Sequence, residues 1–296
     1  MRVTVTGATG LIGRRLVERL TARGDEVTVL SRRDLDDPHS VRWDPVSGAA
    51  PVEALSGRDA VVHLAGEPVA QRWTDEAKRR IRASREAGTR NLVEGLRAAD
   101  PRPGVLVSSS AVGYYGPRGD EEVTETEPAG EDFLAGVTAV WEAEAARAEE
   151  LGLRVVRVRT GIVLDREGGA LAKMLTPFKL GAGGPVAGGK QWMPWIHADD
   201  VAGIYLAALD GENWSGPVNA TAPDPVRNRD FSQALGRALH RPAIAPIPGI
   251  ALHLLYGEMA EIVTTGQRAI PTRPVELGYT FAHTDLDEAL RAALSD

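Results

Sequence analysis

From its second residue the chain alternates apolar and polar positions, Arg2-Val3-Thr4-Val5-Thr6, and then changes period. Leu11, Ile12, Leu16, Val17 and Leu20 recur at helical spacing up to a stop signal at Gly24. The two periods predict a strand and a helix joined by a glycine-rich turn. Similar signals return down the chain. Glu26-Val27-Thr28-Val29-Leu30 is a second strand pattern, and Asp59-Ala60-Val61-Val62-His63-Leu64-Ala65-Gly66 is a third, which stops at glycine like the first. A helical pattern runs from Thr74 to Ala99, with Asp75 and Glu76 near its start and Pro101 beyond its end. Val105-Leu106-Val107-Ser108-Ser109-Ser110 is a fourth strand pattern. Phe133, Val137, Val140, Trp141, Ala145 and Ala148 form a helical apolar stripe, and Arg154 to Arg159 is a fifth strand pattern. This alternation predicts a mostly parallel, doubly wound α/β sheet of Rossmann type with right-handed crossovers.

From Asp165 the texture changes. Glycine becomes dense through Gly181-Ala182-Gly183-Gly184-Pro185 and Gly188-Gly189, ahead of Trp192-Met193-Pro194-Trp195-Ile196-His197. A Gly/Pro-rich segment with two of the six tryptophans is no flexible linker, because the aromatics need burial or a ligand. A loop lining a substrate pocket is expected here. A helix starts at Asp199-Asp200-Val201-Ala202, Val218-Asn219-Ala220 offers a short strand, and helices are expected over Asn228 to Leu239, around Ile250 to Met259, and over Thr284 to Leu294. The expected organisation is a dinucleotide-binding domain over residues 1–165, with 197–222 returning to it. Residues 166–196 and 223–296 would form a smaller α+β substrate-side domain.

The turn after the first strand reads Thr6-Gly7-Ala8-Thr9-Gly10-Leu11-Ile12-Gly13. A strand-to-helix turn needs residues without Cβ to bend sharply, to admit a pyrophosphate to the helix N-terminus, and to pack helix on strand. Gly7, Gly10 and Gly13 fit those three roles. The second strand ends in Ser31-Arg32-Arg33, where dinucleotide folds meet the adenosine ribose. An acidic residue there would bond a 2′-hydroxyl, whereas a hydroxyl and two arginines suit a 2′-phosphate, so the expected cofactor is NADP.

Composition narrows the remaining classes. The 296 residues are 43% hydrophobic and 25% charged, ordinary for a globular protein. A net charge of −7 argues against nucleic-acid binding, and no apolar run approaches membrane-spanning length or resembles a signal segment. A cytoplasmic protein acting on a small molecule, with no nucleic-acid or membrane partner, is expected. There is no cysteine, and the six histidines lack metal-motif spacing, so no metal site is expected.

Two features bear on chemistry. Ile81, Arg85, Gly88, Leu92 and Leu96 share one helix face, which turns Arg85 toward the sheet. A buried arginine needs a partner, either a carboxylate or the phosphates and ribose of a cofactor. Ser108, Ser109 and Ser110 end a central strand and lead into Ala111-Val112-Gly113-Tyr114-Tyr115-Gly116, placing hydroxyls near a nicotinamide, although a serine run also satisfies loop backbone groups. His63, alone in an apolar strand, reads as a packed and hydrogen-bonded histidine.

In combination these residues resemble the extended-type branch of the short-chain dehydrogenase/reductase superfamily, that of nucleotide-sugar epimerases and dehydratases. The likeness rests on Thr6 to Gly13, Leu64-Ala65-Gly66, Ser108-Ser109-Ser110 and Trp195 to Ala202. Ser110 to Gly116, Asp132-Phe133-Leu134, Trp141-Glu142 and Gly183-Gly184-Pro185 narrow it to an atypical subgroup of epimerase-like proteins with a C-terminal module of undefined function, here Arg241 to Leu294. The resemblance implies cofactor contacts from Gly7, Thr9, Gly10, Leu11, Ile12 and Gly13, from Ser31 and Arg32 at the adenosine phosphate, and from Leu64, Ala65 and Glu67 along the ribose and pyrophosphate. It further implies Arg85 facing the cofactor, Val163 beside the nicotinamide, and a homodimer through two paired helices.

One departure is central. Working members of the superfamily carry Tyr-x-x-x-Lys on the helix after the serine strand: the tyrosine moves the substrate proton and the lysine lowers its pKa. Alignment through Glu142 puts Leu134 and Thr138 at those positions, and no Tyr-x-x-x-Lys occurs elsewhere. Three functions are therefore expected to compete. One is an NADP-dependent oxidoreductase or epimerase with substituted machinery, Ser110 bonding a substrate oxygen and Tyr114 or Tyr115 giving the proton. The second is an NADP-binding regulator or scaffold without turnover, and the third is an interaction protein with a decayed cofactor fold that binds no dinucleotide.

Overall fold

The period-2 runs become strands of one sheet and the 3.6-period runs its flanking helices. The structure, a computed structural model, describes residues 1–295, with Asp296 outside them. Its first half contains β1 Arg2–Thr6, α1 Leu11–Ala22, β2 Glu26–Ser31, β3 Ser40–Arg42, β4 Ala60–His63, α2 Asp75–Ala98, β5 Val105–Ala111, β6 Glu122–Val123 and α3 Phe133–Ala146. Then come β7 Arg154–Thr160, β8 Ile162–Leu164, α4 Gly169–Lys179, β9 Trp192–Met193, β10 Trp195–His197, α5 Ala198–Asp210 and β11 Gly216–Ala220. The chain closes with β12 Val226–Arg227, α6 Asn228–Ala238, α7 Gly249–Tyr256, α8 Ala260–Thr264, β13 Arg268–Ala269, α9 Thr272–Glu276 and α10 Leu286–Ser295.

Seven strands pair in the order β11-β7-β5-β4-β1-β2-β3, every pair parallel. This is a Rossmann-like sheet whose order reverses between β1 and β4, so the loops after those two strands open a crevice at their C-terminal ends. Alternation assigns the two faces. Val3, Val5, Val105 and Val107 pack with Leu16 and Leu20 of α1 and Ile204 and Tyr205 of α5. Val61 and Leu106 turn the other way, onto Leu92 and Leu96 of α2 and Ala145 of α3. A third apolar cluster joins Leu171 and Phe178 of α4 to Trp195, Phe231, Leu235 and Leu290.

Helix starts follow local chemistry. Thr74 accepts from the Ala77 N–H at the start of α2, and Asp132 accepts from Ala135 N–H at the start of α3. The C-terminal segment is tied to α5 by Asp200, whose carboxylate accepts from the Ala282 and His283 N–H groups at 2.8 and 3.0 Å and from the Tyr279 hydroxyl at 3.2 Å. Gly203 makes room for that hydroxyl, since a Cβ there would lie 2.2 Å from it. Two expected helix boundaries shift and one helix is additional. The final helix begins at Leu286 rather than Thr284, the helix around Ile250 ends at Tyr256 before a 3-10 turn, and α4 lies within the stretch the sequence pattern leaves without an element. Among the described residues no helix is long and apolar enough to cross a membrane.

Candidate cofactor and active site

The glycine turn is built to its sterics. Gly7 has φ +70°, and a Cβ on it would lie 2.7 Å from the Leu64 carbonyl carbon. A Cβ on Gly13 would lie 2.3 Å from the Gly7 carbonyl oxygen, so this glycine is what lets α1 sit against the turn. Gly10 differs, for a Cβ there would meet only the Gly7 oxygen at 3.2 Å, and the residue is exposed. Gly10 is also the N-cap of α1, which has no side-chain cap and no acidic residue in its first turn. The N–H groups of Leu11, Ile12 and Gly13 and the positive end of the helix dipole thus lack an internal anion, and a cradle with these properties fits a pyrophosphate.

The neighbouring loop is held against this turn by Thr6. Its Oγ1 accepts from the Leu64 and Ala65 N–H groups, both at 3.1 Å, so its own proton goes to His63 Nδ1 at 2.8 Å. His63 then carries its proton on Nε2 and donates to Thr89 Oγ1 at 3.1 Å. Full burial, reinforced by the Arg85 charge, pushes His63 down from 6.5 to about 4. With the folded value below the ordinary one, the unfolded chain takes up the proton first. The stability carried by neutral His63 is complete above pH 6.5 and is lost as the pH falls from 6.5 toward about 4. Urea unfolding is expected to show about 2 kcal/mol less stability from this group at about pH 5 than at neutrality. A His63 imidazole that titrates by NMR near its ordinary value refutes this.

Arg85 is half-buried and has no bonded carboxylate among the described residues. It donates to the Glu67 carbonyl at 3.0 Å and the Ile81 carbonyl at 3.3 Å, and its guanidinium lies 5.0 Å from the centre of the Trp141 ring. Burial pulls it below its ordinary value, with only the Glu67 charge opposing. Gly66 covers it, where a Cβ would come within 3.3 Å of the guanidinium. At the end of β2, Ser31 is half-buried and Arg32 and Arg33 are exposed. Ser31 accepts from the Arg33 N–H at 3.2 Å, and the nearby Asp34 pairs with Arg42. Neither Arg32 nor Arg33 has an ion pair among the described residues. Val163 lies on β8 next to Ile196, and its carbonyl is near Gly169.

The serine strand leads into a buried polar network. Ser110, 3% exposed, donates to Glu142 at 2.6 Å, and Glu142 receives Arg159 through two bonds of 2.8 and 2.9 Å. Arg159 also donates to the Tyr115 hydroxyl at 2.9 Å, which donates onward to Asn219 at 2.7 Å. Burial works against the Arg159 charge, but the Glu142 bond and charge outweigh it and hold the guanidinium above its ordinary value. Tyr115 is pushed up to about 12, chiefly by burial. Fully buried and bonded on both sides, Tyr115 is fixed in this network. Tyr114 stands apart from it: its ring lies 3.6 Å from the Arg159 guanidinium, and its hydroxyl has no hydrogen bond among the described residues.

On α3, Thr138 spends its hydroxyl on the Leu134 carbonyl at 2.8 Å, and Leu134 packs toward the cluster of Trp73, Ile81, Val137 and Met259. No proton relay is available at these two positions. The sequence did not announce Glu142 as the partner of Ser110, nor Arg159 and Asn219 as the next members of the network. The available signal was Arg159 itself, a charge in a central strand pattern that burial obliges to find a carboxylate. The Gly/Pro segment places Trp195 in the core, while half-buried Trp192 lies 4.0 Å from the Arg227 guanidinium and 4.8 Å from that of Arg268.

One group outside this site approaches metal-ligand spacing, with atoms of His197, Asp199 and His283 within 4.8 Å of one another. Its carboxylate is already bonded by Arg15 at 2.7 Å and by Arg19, and His197 Nδ1 accepts from the Asp199 N–H at 3.2 Å. The three side chains make a helix cap and an ion-pair junction.

A family model described as the NAD dependent epimerase/dehydratase family matches residues 3–219, and one described as a domain of unknown function (DUF1731) matches residues 247–293. The chain is 41% identical over 302 residues to the chloroplastic epimerase family protein SDR39U1 homolog of Arabidopsis thaliana, covering 99% of this chain and 87% of the relative. It is 36% identical over 301 residues to the epimerase family protein YfhF of Bacillus subtilis, covering 100% and 99%. The crystal structure of human epimerase family protein SDR39U1 (isoform 2) with NADPH superposes with a TM-score of 0.92 at 37% identity, over the full length of both chains.

Proposed function

The chain belongs to the NAD-dependent epimerase/dehydratase family, and from that premise we propose that it binds NADP and uses it on a small polar, sugar-derived substrate, as a reductase or epimerase whose usual Tyr–Lys pair is replaced. The observation that carries this reading is the uncapped, acid-free N-terminus of α1 at Gly10, facing open space at the sheet's crevice. The human relative's NADPH supports the choice of cofactor, as do the exposed Arg32 and Arg33. Bound NADP supplies hydride exchange at its nicotinamide.

The protein's own side chains do the rest. Leu11, Ile12 and Gly13 present N–H groups to the pyrophosphate, Arg32 and Arg33 with Ser31 meet the 2′-phosphate, and Leu64, Ala65 and Glu67 flank the ribose. Thr9 in the turn and Val163 toward the nicotinamide complete the contacts. Arg85, held under Gly66 and Glu67, places a fixed positive charge behind that loop. Ser110 has its proton committed to Glu142, so it meets a substrate hydroxyl as an acceptor. Tyr114, with its ring on Arg159 and its hydroxyl unbonded among the described residues, is the proton donor. A second reading, an NADP-binding regulator without turnover, is favoured by Leu134 and Thr138.

Calorimetry followed by a turnover panel tests both readings. NADPH is expected to bind more tightly than NADH, and Arg32→Ala to weaken NADPH by about 1.5 to 3 kcal/mol with little effect on NADH. Equal losses refute the 2′-phosphate contact. Turnover of a carbonyl or nucleotide-sugar substrate that disappears in Tyr114→Phe supports the enzyme. Tight NADPH binding with no turnover across the panel supports the regulator, and absence of dinucleotide binding overturns both.

A further inference from the structure

The segment after β8 crosses to the cofactor turn and is fastened on both sides of it. On the α1 side, Asp165 pairs with Arg15 at 3.4 Å and Glu167 with Arg14 at 3.4 Å. Gly168 and Gly169 then pass directly over Leu11, where a Cβ on either would stand 3.0 and 3.3 Å from its methyl groups. On the far side, Lys173 of α4 donates to the Ala70 carbonyl at 2.7 Å, in the loop that runs from Leu64 to α2. Gly7 packs against Leu64 and Ala65, so the glycine turn and this loop form the two banks of the crevice, and the segment from Asp165 to Lys173 bridges them.

We propose that residues 165–179 are a strap over the cofactor site, latched by Lys173 on Ala70, and that opening the latch controls entry and departure of the dinucleotide. This rests on the cofactor reading above. Two of the fastenings are weak, the Arg14–Glu167 pair with side-chain exposures of 51% and 61% and the exposed Lys173, while the Arg15–Asp165 pair, with Asp165 only 7% exposed, holds the base of the strap in place. Flexibility is placed where a hinge needs it, because Gly169 at φ +66° follows Gly168 immediately before α4. Leu171 and Phe178 hold α4 in the apolar cluster that also contains Leu164 and Trp195, so the helix stays seated and the opening is confined to the Lys173–Ala70 latch and the exposed segment ahead of α4.

The absence of native cysteine permits a direct test. Ala70→Cys/Lys173→Cys is bridged with a bis-maleimide, and NADPH association and displacement are followed by stopped-flow fluorescence. The bridged protein is expected to bind NADPH about tenfold more slowly or worse, while the same variant capped with a monofunctional maleimide binds at an ordinary rate. Lys173→Met alone is expected to speed NADPH release by about two- to fivefold, with recovery in Lys173→Arg. Equal association of bridged and capped protein overturns the strap, as does a Lys173→Met whose affinity falls only through slower association. If the wild-type protein binds no NADPH by calorimetry, the cofactor reading has failed and the strap falls with it, whereas wild-type binding with a neutral bridge removes the strap alone.

Discussion

Gly10→Ala is expected to leave the protein folded while removing most of its NADPH binding, and Gly13→Ala to destabilise the fold itself. Helix propensity alone predicts otherwise at Gly13, since alanine inside a helix is favoured over glycine by about 1 kcal/mol. Position reverses the sign. The new Cβ would stand 2.3 Å from the Gly7 carbonyl oxygen and 2.8 Å from the Ala8 Cα, both backbone atoms that cannot rotate away. Moving α1 off β1 opens the packing of Leu16 and Leu20 on Val3 and Val5, with an expected cost of about 2 to 3 kcal/mol. At Gly10 the backbone is ordinary, φ −79° and ψ 174°, and the methyl projects toward open space apart from one contact at 3.2 Å. Stability should change by about 1 kcal/mol or less. The methyl does occupy the approach to the N–H groups of Leu11 to Gly13, so NADPH should weaken by about 2 kcal/mol or more, roughly thirtyfold. Thermal unfolding and calorimetry on the two variants separate these effects. An unchanged NADPH affinity in Gly10→Ala would remove the helix N-terminus as the docking point.

The sheet and the glycine turn were legible because each rests on local rules. Val3 and Val5 against Thr4 and Thr6 state a period, and Gly7 and Gly13 state where a Cβ has no place. The Ser31-Arg32-Arg33 end of β2 was legible for the same reason, as strand direction brings it to the edge where β1 ends. What escaped was set by tertiary contact. β3 is three residues long and gains its place only by pairing with β2, a span too short to show a period. α4 is hidden by Gly169 at its start and Pro177 within it, both of which read as breakers, yet burial of Leu171 and Phe178 outweighs them. Arg85 was correctly placed facing inward, but its partners are backbone carbonyls and the Trp141 ring, which no spacing rule announces. Ser110 could be located on its strand; that its proton goes to Glu142, 32 residues later, required the packing of α3 on β5.

Glu142→Leu is expected to be the most damaging single change in the site, costing about 3 to 5 kcal/mol, with Arg159→Leu somewhat milder and the double variant milder than either. The asymmetry follows from what each change strands. Without Glu142, Arg159 remains 2% exposed with a charge it cannot lose, and the Tyr115 hydroxyl and the Glu125 carbonyl are its remaining bonded partners. Without Arg159, Glu142 still receives Ser110 at 2.6 Å and has the Arg157 guanidinium 3.9 Å away, and as a carboxyl it can take up a proton. Removing both charges removes the desolvation cost of both, leaving the lost bonds of Ser110 and Tyr115, worth about 1 kcal/mol each. Chemical denaturation of the three variants completes a double-mutant cycle, and additive losses would mean that the pair is not coupled. The cycle also separates scaffold from chemistry. Arg159 supports the Tyr114 ring from 3.6 Å, so the double variant, folded but without that support, leaves Tyr114 unfixed. If Tyr114 is the proton donor and Ser110 the acceptor, the refolded double variant, which has lost the ring support of the one and the bonded partner of the other, binds NADPH as the wild type does and turns over far more slowly. Turnover that survives at its full rate places the proton elsewhere.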